Sequence, residues 1–206
     1  MLDNNSFEKF IIDITPIEKK ARILEKINTY KEMLIDENSR INLVSKTTID
    51  DIDNRHFLDS AQLMPLIMNK NKTLLDVGTG AGLPGIILAI AGCKKVNLVE
   101  KQSKKCDFLK RVNSQLELEM NIFNSRVEDI VEEKFDYIVS RAFAKIDKII
   151  TATKNISHKN TKFILLKGKT YLEETKLISK KKFNIKYFDS LTSAESKIIE
   201  LSYKWY

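Results

Sequence analysis

The chain has 206 residues, a mass of 23.8 kDa, a formal net charge of +7 and 43% apolar residues. This composition fits one domain with a short appendage and excludes a disordered chain. The longest apolar stretch, Leu83 to Cys93, is 11 residues with Pro84 and two glycines inside it, too short for a membrane helix. With no secretory pattern in MLDNNSFEKF and only two cysteines, Cys93 and Cys106, a cytoplasmic protein without membrane association is expected.

The first 60 residues read as helical. Thr15-Pro16-Ile17-Glu18 predicts a helix start, with Thr as N-cap, Pro at N1 and Glu at N3. Ile17, Ala21, Leu24, Ile27 and Leu34 follow at helical spacing, and a second helical stretch is expected from Thr48 to Ile67. Residues 1–68 are therefore read as a helical extension packed on a core unit of residues 69–206.

Beyond Lys72 the pattern alternates. Strands are predicted at Thr73–Val77, Val96–Glu100, Asn121–Asn124, Asp136–Ser140 and Lys162–Lys167. Helices are predicted at Pro84–Ala91, Gln102–Leu118, Lys145–Asn155 and Tyr171–Ser179. Two last strands, Ile185–Phe188 and Ile198–Tyr203, are joined by a Ser/Thr-rich turn. Strand–helix alternation implies an α/β protein with a mostly parallel sheet covered on both faces, and the final pair implies an antiparallel hairpin at one edge.

The segment Asp76-Val77-Gly78-Thr79-Gly80-Ala81-Gly82-Leu83-Pro84-Gly85 lies between a predicted strand and helix, where open parallel sheets bind ligands. The dinucleotide pattern G-x-G-x-x-G/A would need Gly or Ala at 83, where Leu stands. The spacing is instead G-x-G-x-G, and Glu100 closes the next strand, where a carboxylate can take both ribose hydroxyls of an adenosine. The combination resembles the nucleotide site of class I S-adenosylmethionine-dependent methyltransferases; the competing reading is a dinucleotide-binding or purely structural turn.

After the fourth strand stands Ser140-Arg141-Ala142-Phe143, not the Asp/Asn-Pro-Pro-aromatic stretch of enzymes that methylate exocyclic amines. No cysteine is placed there for pyrimidine carbon-5 chemistry. A ring nitrogen with an exposed lone pair, such as guanine N7, remains and needs positioning without proton removal. Arg141 would serve the Hoogsteen edge or a methionine carboxylate, and Phe143 would stack on a base.

In order along the chain stand Arg40-Ile41-Asn42-Leu43-Val44-Ser45, Arg55-His56-Phe57-Leu58-Asp59-Ser60, Asp76 to Gly85, Ser125-Arg126-Val127-Glu128, Ser140-Arg141-Ala142-Phe143-Ala144 and Leu166-Lys167-Gly168. Together they resemble the bacterial ribosomal small-subunit methyltransferase G family, also called glucose-inhibited division protein B. The resemblance implies a Rossmann-like class I methyltransferase fold with a seven-stranded sheet. It also implies S-adenosylmethionine as cofactor, no metal, and N7-methylation of one guanosine in a decoding-region loop of small-subunit rRNA. A monomer is expected. The alternative function is an RNA-binding ribosome-assembly factor with a vestigial cofactor pocket.

The glycine loop itself offers Gly78, Gly80 and Gly82 to the cofactor; carried over, the family's cofactor contacts fall on Gly78 and Leu83, on Glu100, Lys101 and Gln102, on Val127 and Glu128, and on Arg141, which is also read as the catalytic positioning residue. The family often has Asp where Glu100 stands, and Lys101-Gln102 is not a fixed pair there, so those two are expected to contact through backbone. For Glu128 the competing role is compensation of a helix dipole.

His56 is read as a structural histidine clustered with Arg55 and Asp59. RNA contacts are expected from Arg126 (or a local ion pair), Phe143, Lys167 (or lining of the active site) and the run Lys180, Lys181, Lys182. Residues 154–186 carry ten lysines against two carboxylates, net +8, more than the whole excess of the chain. That concentration suggests a polyanionic partner, with a solvated lysine-rich face as the plainer reading.

Overall fold

The structure, a computed structural model, describes residues 6–204 of the chain. Its core is a seven-stranded sheet of β1 (Thr73–Val77), β2 (Lys95–Val99), β3 (Asn121–Phe123), β4 (Phe135–Arg141), β5 (Ser157–Lys167), β6 (Phe183–Asp189) and β7 (Lys197–Tyr203), in the order β3-β2-β1-β4-β5-β7-β6. β1 through β5 run parallel, while β7 lies antiparallel between β5 and β6. The mostly parallel sheet and the terminal antiparallel hairpin are as the sequence predicts. The helices are α1 (Ser6–Ile14), α2 (Lys20–Asn38), α3 (Asp59–Ala61), α4 (Gly85–Ile90), α5 (Ser103–Gln115), α6 (Ile146–Ala152) and α7 (Tyr171–Lys176).

The two-residue period of the strands sorts their apolar side chains into two layers. Leu74, Leu98, Val139, Ile164 and Leu166 face one layer, built with α1, α2, α4, α5 and the segment before β1. Leu75, Val77, Val99, Ile138, Phe163 and Leu165 face the other, with α6 and the flank of α7. Phe7, Ile11, Ile27, Leu34 and Phe57 share the first layer with Ile86, Phe108 and Leu109, so the N-terminal segment and the sheet own one continuous core.

Several local expectations shift. Pro16, at φ −55° and ψ 140°, precedes a 3₁₀ turn, Ile17–Lys19, and no side chain caps it. Thr15 is buried, and the long helix starts only at Lys20. The stretch read as one helix from Thr48 to Ile67 is a 3₁₀ turn, a π-helical segment Asp53–Leu58, the short α3 and another 3₁₀ turn. Buried polar residues Asn54, His56, Ser60 and Gln62 interrupt its apolar face; Asn54 and Ser60 bond locally to Asp51 and the His56 carbonyl, while His56 and Gln62 meet distant partners in Arg141 and Leu191. β5 begins at Ser157, five residues before the expected start, because Thr161 is buried and donates to the Phe135 carbonyl at 2.7 Å.

The chain winds from β1 through β2 to β3 in one direction, then returns to β4 on the other side of β1. The carboxyl ends of β1 and β4 therefore flank the switch point where ligands of doubly wound sheets bind.

Candidate functional site

At that point lies a crevice of about 390 Å³ lined by Gly78, Val99, Glu100, Lys101, Gln102, Ser125, Arg126, Val127, Glu128, Ala142 and Phe143. Its volume falls in the range of small-molecule sites. Glu100 is buried at the end of β2, and its carboxylate is fixed by backbone donors: Gly80 N–H reaches Oε2 at 3.1 Å and Gln102 N–H reaches Oε1 at 2.9 Å. Each oxygen keeps acceptor capacity, enough for two adjacent hydroxyls.

The glycine loop is anchored from beneath. Asp76 is fully buried, and its Oδ2 accepts from Thr79 Oγ1 at 2.5 Å and Gly85 N–H at 2.8 Å. Burial pushes its pKa up to about 6, with the two donors pulling the other way. Gly78 has φ +66°, and a Cβ there would lie 2.2 Å from the Phe143 ring, so only glycine permits this approach. Tyr30 on α2 donates its hydroxyl to the Ala81 carbonyl at 2.9 Å, and its ring stacks on Phe57 with centroids 5.3 Å apart.

A second crevice, of about 380 Å³, is lined by Asp59, Arg141, Ala142, Phe143, Ala144, Lys145, Leu166, Lys167, Gly168, Glu174 and Ser196. Ala142 and Phe143 line both crevices. Ala142 takes φ +52°, the left-handed turn that ends β4 between Arg141 and Phe143.

Arg141 NH1 is held by the Arg55 carbonyl at 3.2 Å, His56 Nδ1 at 2.9 Å and Asp59 Oδ2 at 3.5 Å. A guanidinium only donates, so His56 Nδ1 is an acceptor and the ring proton sits on Nε2. Nε2 lies 2.8 Å from Thr48 Oγ1, whose own proton goes to the Ser45 carbonyl at 2.9 Å. Burial, then the Arg141 charge, lowers the His56 pKa to about 4, and the ring is neutral. Lys167 is buried, with its ammonium on the Ala144 carbonyl and 2.9 Å from Glu174. Glu174 also accepts from Ile146 N–H at 3.0 Å and Thr170 Oγ1 at 3.1 Å. Burial alone would raise its pKa, but the Lys167 hydrogen bond and charge hold it below the ordinary range.

Of the residues expected from sequence, Gly78, Glu100, Lys101, Gln102, Arg126, Val127, Glu128 and Phe143 come together in the first crevice. Gly80, Gly82 and Leu83 do not line it. Gly80 serves Glu100 through its N–H, Leu83 is buried, and a Cβ on Gly82 would strike Ile86 at 2.1 Å, so that glycine seats the loop on α4. Arg141 lines the second crevice, away from Glu100, and Lys167 is tied up in its ion pair there. Arg126 is exposed at the first crevice, and Glu128 belongs to a 3₁₀ turn, Val127–Asp129. Lys180, Lys181 and Lys182 lie elsewhere: they precede Phe183, which pairs with Tyr203 at the amino-end edge of the sheet. His56 clusters with Asp59 through Arg141, while Arg55 contributes its carbonyl and leaves its side chain exposed.

Sequence reasoning missed Asp59 as a partner of Arg141, the Glu174 partner of Lys167, and Tyr30 beneath the loop. No short-range signal marks Tyr30 or Asp59, since the Tyr30–Ala81 and Arg141–His56 contacts span 51 and 85 residues, whereas Glu174 lies seven residues from Lys167 and meets it across the turn into α7. Both cysteines are buried, and burial raises the thiol pKa of each, that of Cys93 to about 11. Neither is poised as a nucleophile.

The fold and these motifs have counterparts in known proteins. Residues 23–198 match the family described as rRNA small subunit methyltransferase G. The protein named Ribosomal RNA small subunit methyltransferase G from Rickettsia felis is 41% identical over 189 residues, spanning 90% of this chain and 96% of its own. The ribosomal protein L11 methylase from Lactobacillus delbrueckii subsp. bulgaricus shares the fold at TM-score 0.60 and 19% identity, over 71% of this chain and 77% of that one. A mutant of MtNAS in complex with S-adenosylmethionine does so at TM-score 0.59 and 13% identity, over 87% and 75%. Since the match extends through both crevices and nearly the whole sheet, the chain belongs to the ribosomal RNA small subunit methyltransferase G family.

Proposed function

We propose that this protein methylates N7 of a guanosine in a decoding-region loop of small-subunit rRNA, with S-adenosylmethionine as donor. The observation that carries the reading is the pair of crevices sharing the Ala142–Phe143 wall. One holds a fixed carboxylate suited to a ribose, and the other presents Arg141 suited to a purine edge.

The first crevice fits the cofactor by its donor set. Glu100 retains acceptor capacity for the ribose hydroxyls, Val99 and Val127 give apolar wall for an adenine, and Gly78 lets the loop approach closely. When bound, S-adenosylmethionine supplies a sulfonium methyl: the carbon–sulfur bond breaks as the bond to N7 forms, and positive charge passes from sulfur to the purine. No proton leaves N7, so the protein needs no general base, consistent with the neutral, fully engaged His56. Arg141, clamped by three acceptors, orients the guanine by donating to O6 beside N7. Phe143 stacks on the base or closes the wall between base and methyl, and Arg126 meets phosphate at the crevice mouth. The Lys167–Glu174 pair sets the Ala144–Ile146 segment behind Phe143. The reading carries with it a cytoplasmic monomer.

The intact loop and the pre-set Glu100 speak against an assembly factor with a vestigial pocket. In rRNA from a strain lacking this protein, borohydride and aniline treatment should no longer cleave at one N7-methylguanosine of the small-subunit RNA. Cleavage persisting there would remove the assignment.

A further inference from the structure

Of the ten lysines in residues 154–186, Lys167 alone lines either crevice. Lining residues there include five cations (Lys101, Arg126, Arg141, Lys145, Lys167) and four carboxylates (Asp59, Glu100, Glu128, Glu174), so the two linings together carry one excess positive charge. The opposite edge differs. β7 runs antiparallel to β5 with Lys162 opposite Ser202, and β6 starts at Phe183 opposite Tyr203. The turn Lys180-Lys181-Lys182 and Lys204 therefore lie beside the amino ends of β4 and β5, and Lys204 N–H bonds the Lys182 carbonyl at 2.8 Å. Lys154 and Lys159 flank the start of β5. Lys134, before β4, donates to the Asn155 and Ser157 carbonyls at 2.6 and 3.3 Å, contacts that leave its charge uncompensated. All seven lysines are exposed; the carboxylates near Lys134 in sequence are Glu132, Glu133 and Asp136, the last already paired with Lys72 at 3.1 Å.

We infer that this edge is a second RNA-docking surface, which grips the phosphate backbone of the rRNA remote from the nucleotide being methylated. Four adjacent strands, β4, β5, β7 and β6, set its width at about 14 Å, and the length of β4 sets it about 20 Å from Arg141. A polyanion gains counterion-release energy wherever lysines meet phosphates, and here that charge is concentrated away from the chemistry. Lysine suits this role, because a point charge on a flexible stem contacts phosphates without dictating sequence. The two edges thus divide the work, one reading the base and the other supplying affinity. The inference rests on rRNA as the substrate.

The test uses the full chain with all three turn lysines reversed (Lys180→Glu, Lys181→Glu, Lys182→Glu) and a milder triple substitution to Gln. A control reverses Lys9, Lys19 and Lys20, which lie outside the patch. Binding to protein-free small-subunit rRNA and to the assembled subunit is measured across a salt series, with adenosylmethionine calorimetry as the check on folding. The turn variants should weaken RNA binding about tenfold or more with Glu, less with Gln. The salt slope should fall by about 2 to 3, with kcat at saturating RNA and cofactor affinity unchanged. Unchanged affinity and slope would overturn the inference, as would an equal loss in the control, which would reduce the effect to net charge. Weakened binding to the subunit alone would assign the patch to an acidic ribosomal protein and overturn RNA docking. A wild-type protein that binds neither rRNA nor subunit would instead remove the rRNA reading itself.

Discussion

Glu100, the proposed ribose ligand, is oriented by backbone geometry. Two N–H groups from different loops aim its carboxylate before any ligand arrives, so little ordering cost remains at binding. Glu100→Ala should weaken adenosylmethionine binding about tenfold or more by calorimetry, the effect of losing a charged hydrogen-bonding partner; unaltered affinity would take Glu100 out of the site. Asp76 and His56 make a second residue-scale prediction. The folded pKa of Asp76 is raised from 3.8 to about 6, so the folded state binds more proton and stability falls as pH rises through that window. The folded pKa of His56 is lowered from 6.5 to about 4, so its stabilisation is complete above the unfolded value and is lost as pH falls toward 4. The two slopes oppose each other. Urea titrations should show the difference between wild type and Asp76→Asn falling with rising pH, and that between wild type and His56→Gln rising, each by about 1.4 kcal/mol per pH unit at most. Curves that stay parallel to wild type would contradict both environments.

Among the elements, α2 bears most directly on the site. Helical spacing in the sequence picks out Ile17, Ala21, Leu24, Ile27 and Leu34, of which Ile27 and Leu34 are buried, Leu24 is half-buried and Ile17 and Ala21 are exposed; the buried face runs instead through Ile23, Ile27, Tyr30 and Leu34. Tyr30 is not among the residues so picked out, and only the structure shows its hydroxyl ending on the Ala81 carbonyl within the glycine loop. Tyr30→Phe keeps the ring stacked on Phe57 and leaves that carbonyl without its donor. Chemical denaturation should register a loss of about 1–3 kcal/mol, with weakened cofactor affinity as the loop loosens. Full stability in the variant would mean the contact contributes nothing. β1 and β4 were readable nearly to the residue because buried parallel strands are continuous apolar runs bounded by glycine or charge. The Asp53–Leu58 π-helical segment was not, since its shape follows from where Asn54, His56 and Phe57 are buried.

For the molecule as a whole, the helical N-terminal segment and the sheet stand or fall together, because one apolar layer runs through both. A chain beginning at Asn69 would uncover Leu74, Ile86, Ile87 and Phe108. It should bind a hydrophobic dye and lose its near-ultraviolet circular dichroism, while a cooperative unfolding transition like that of the full chain would show an independent core. The sequence alone determined the α/β alternation, the terminal hairpin, the glycine loop with Glu100, and the absence of a nucleophilic cysteine after β4, because each is written in residues within a few positions of one another. Only the tertiary structure decided that Arg141 faces a second crevice, that Lys167 is consumed by Glu174, and that the lysine-rich turn lies on the edge opposite the chemistry. The Arg141 contact spans 85 residues, the Lys167 pair forms only once the chain turns into α7, and β7 entering antiparallel between β5 and β6 carries the turn before β6 to the far end of the sheet.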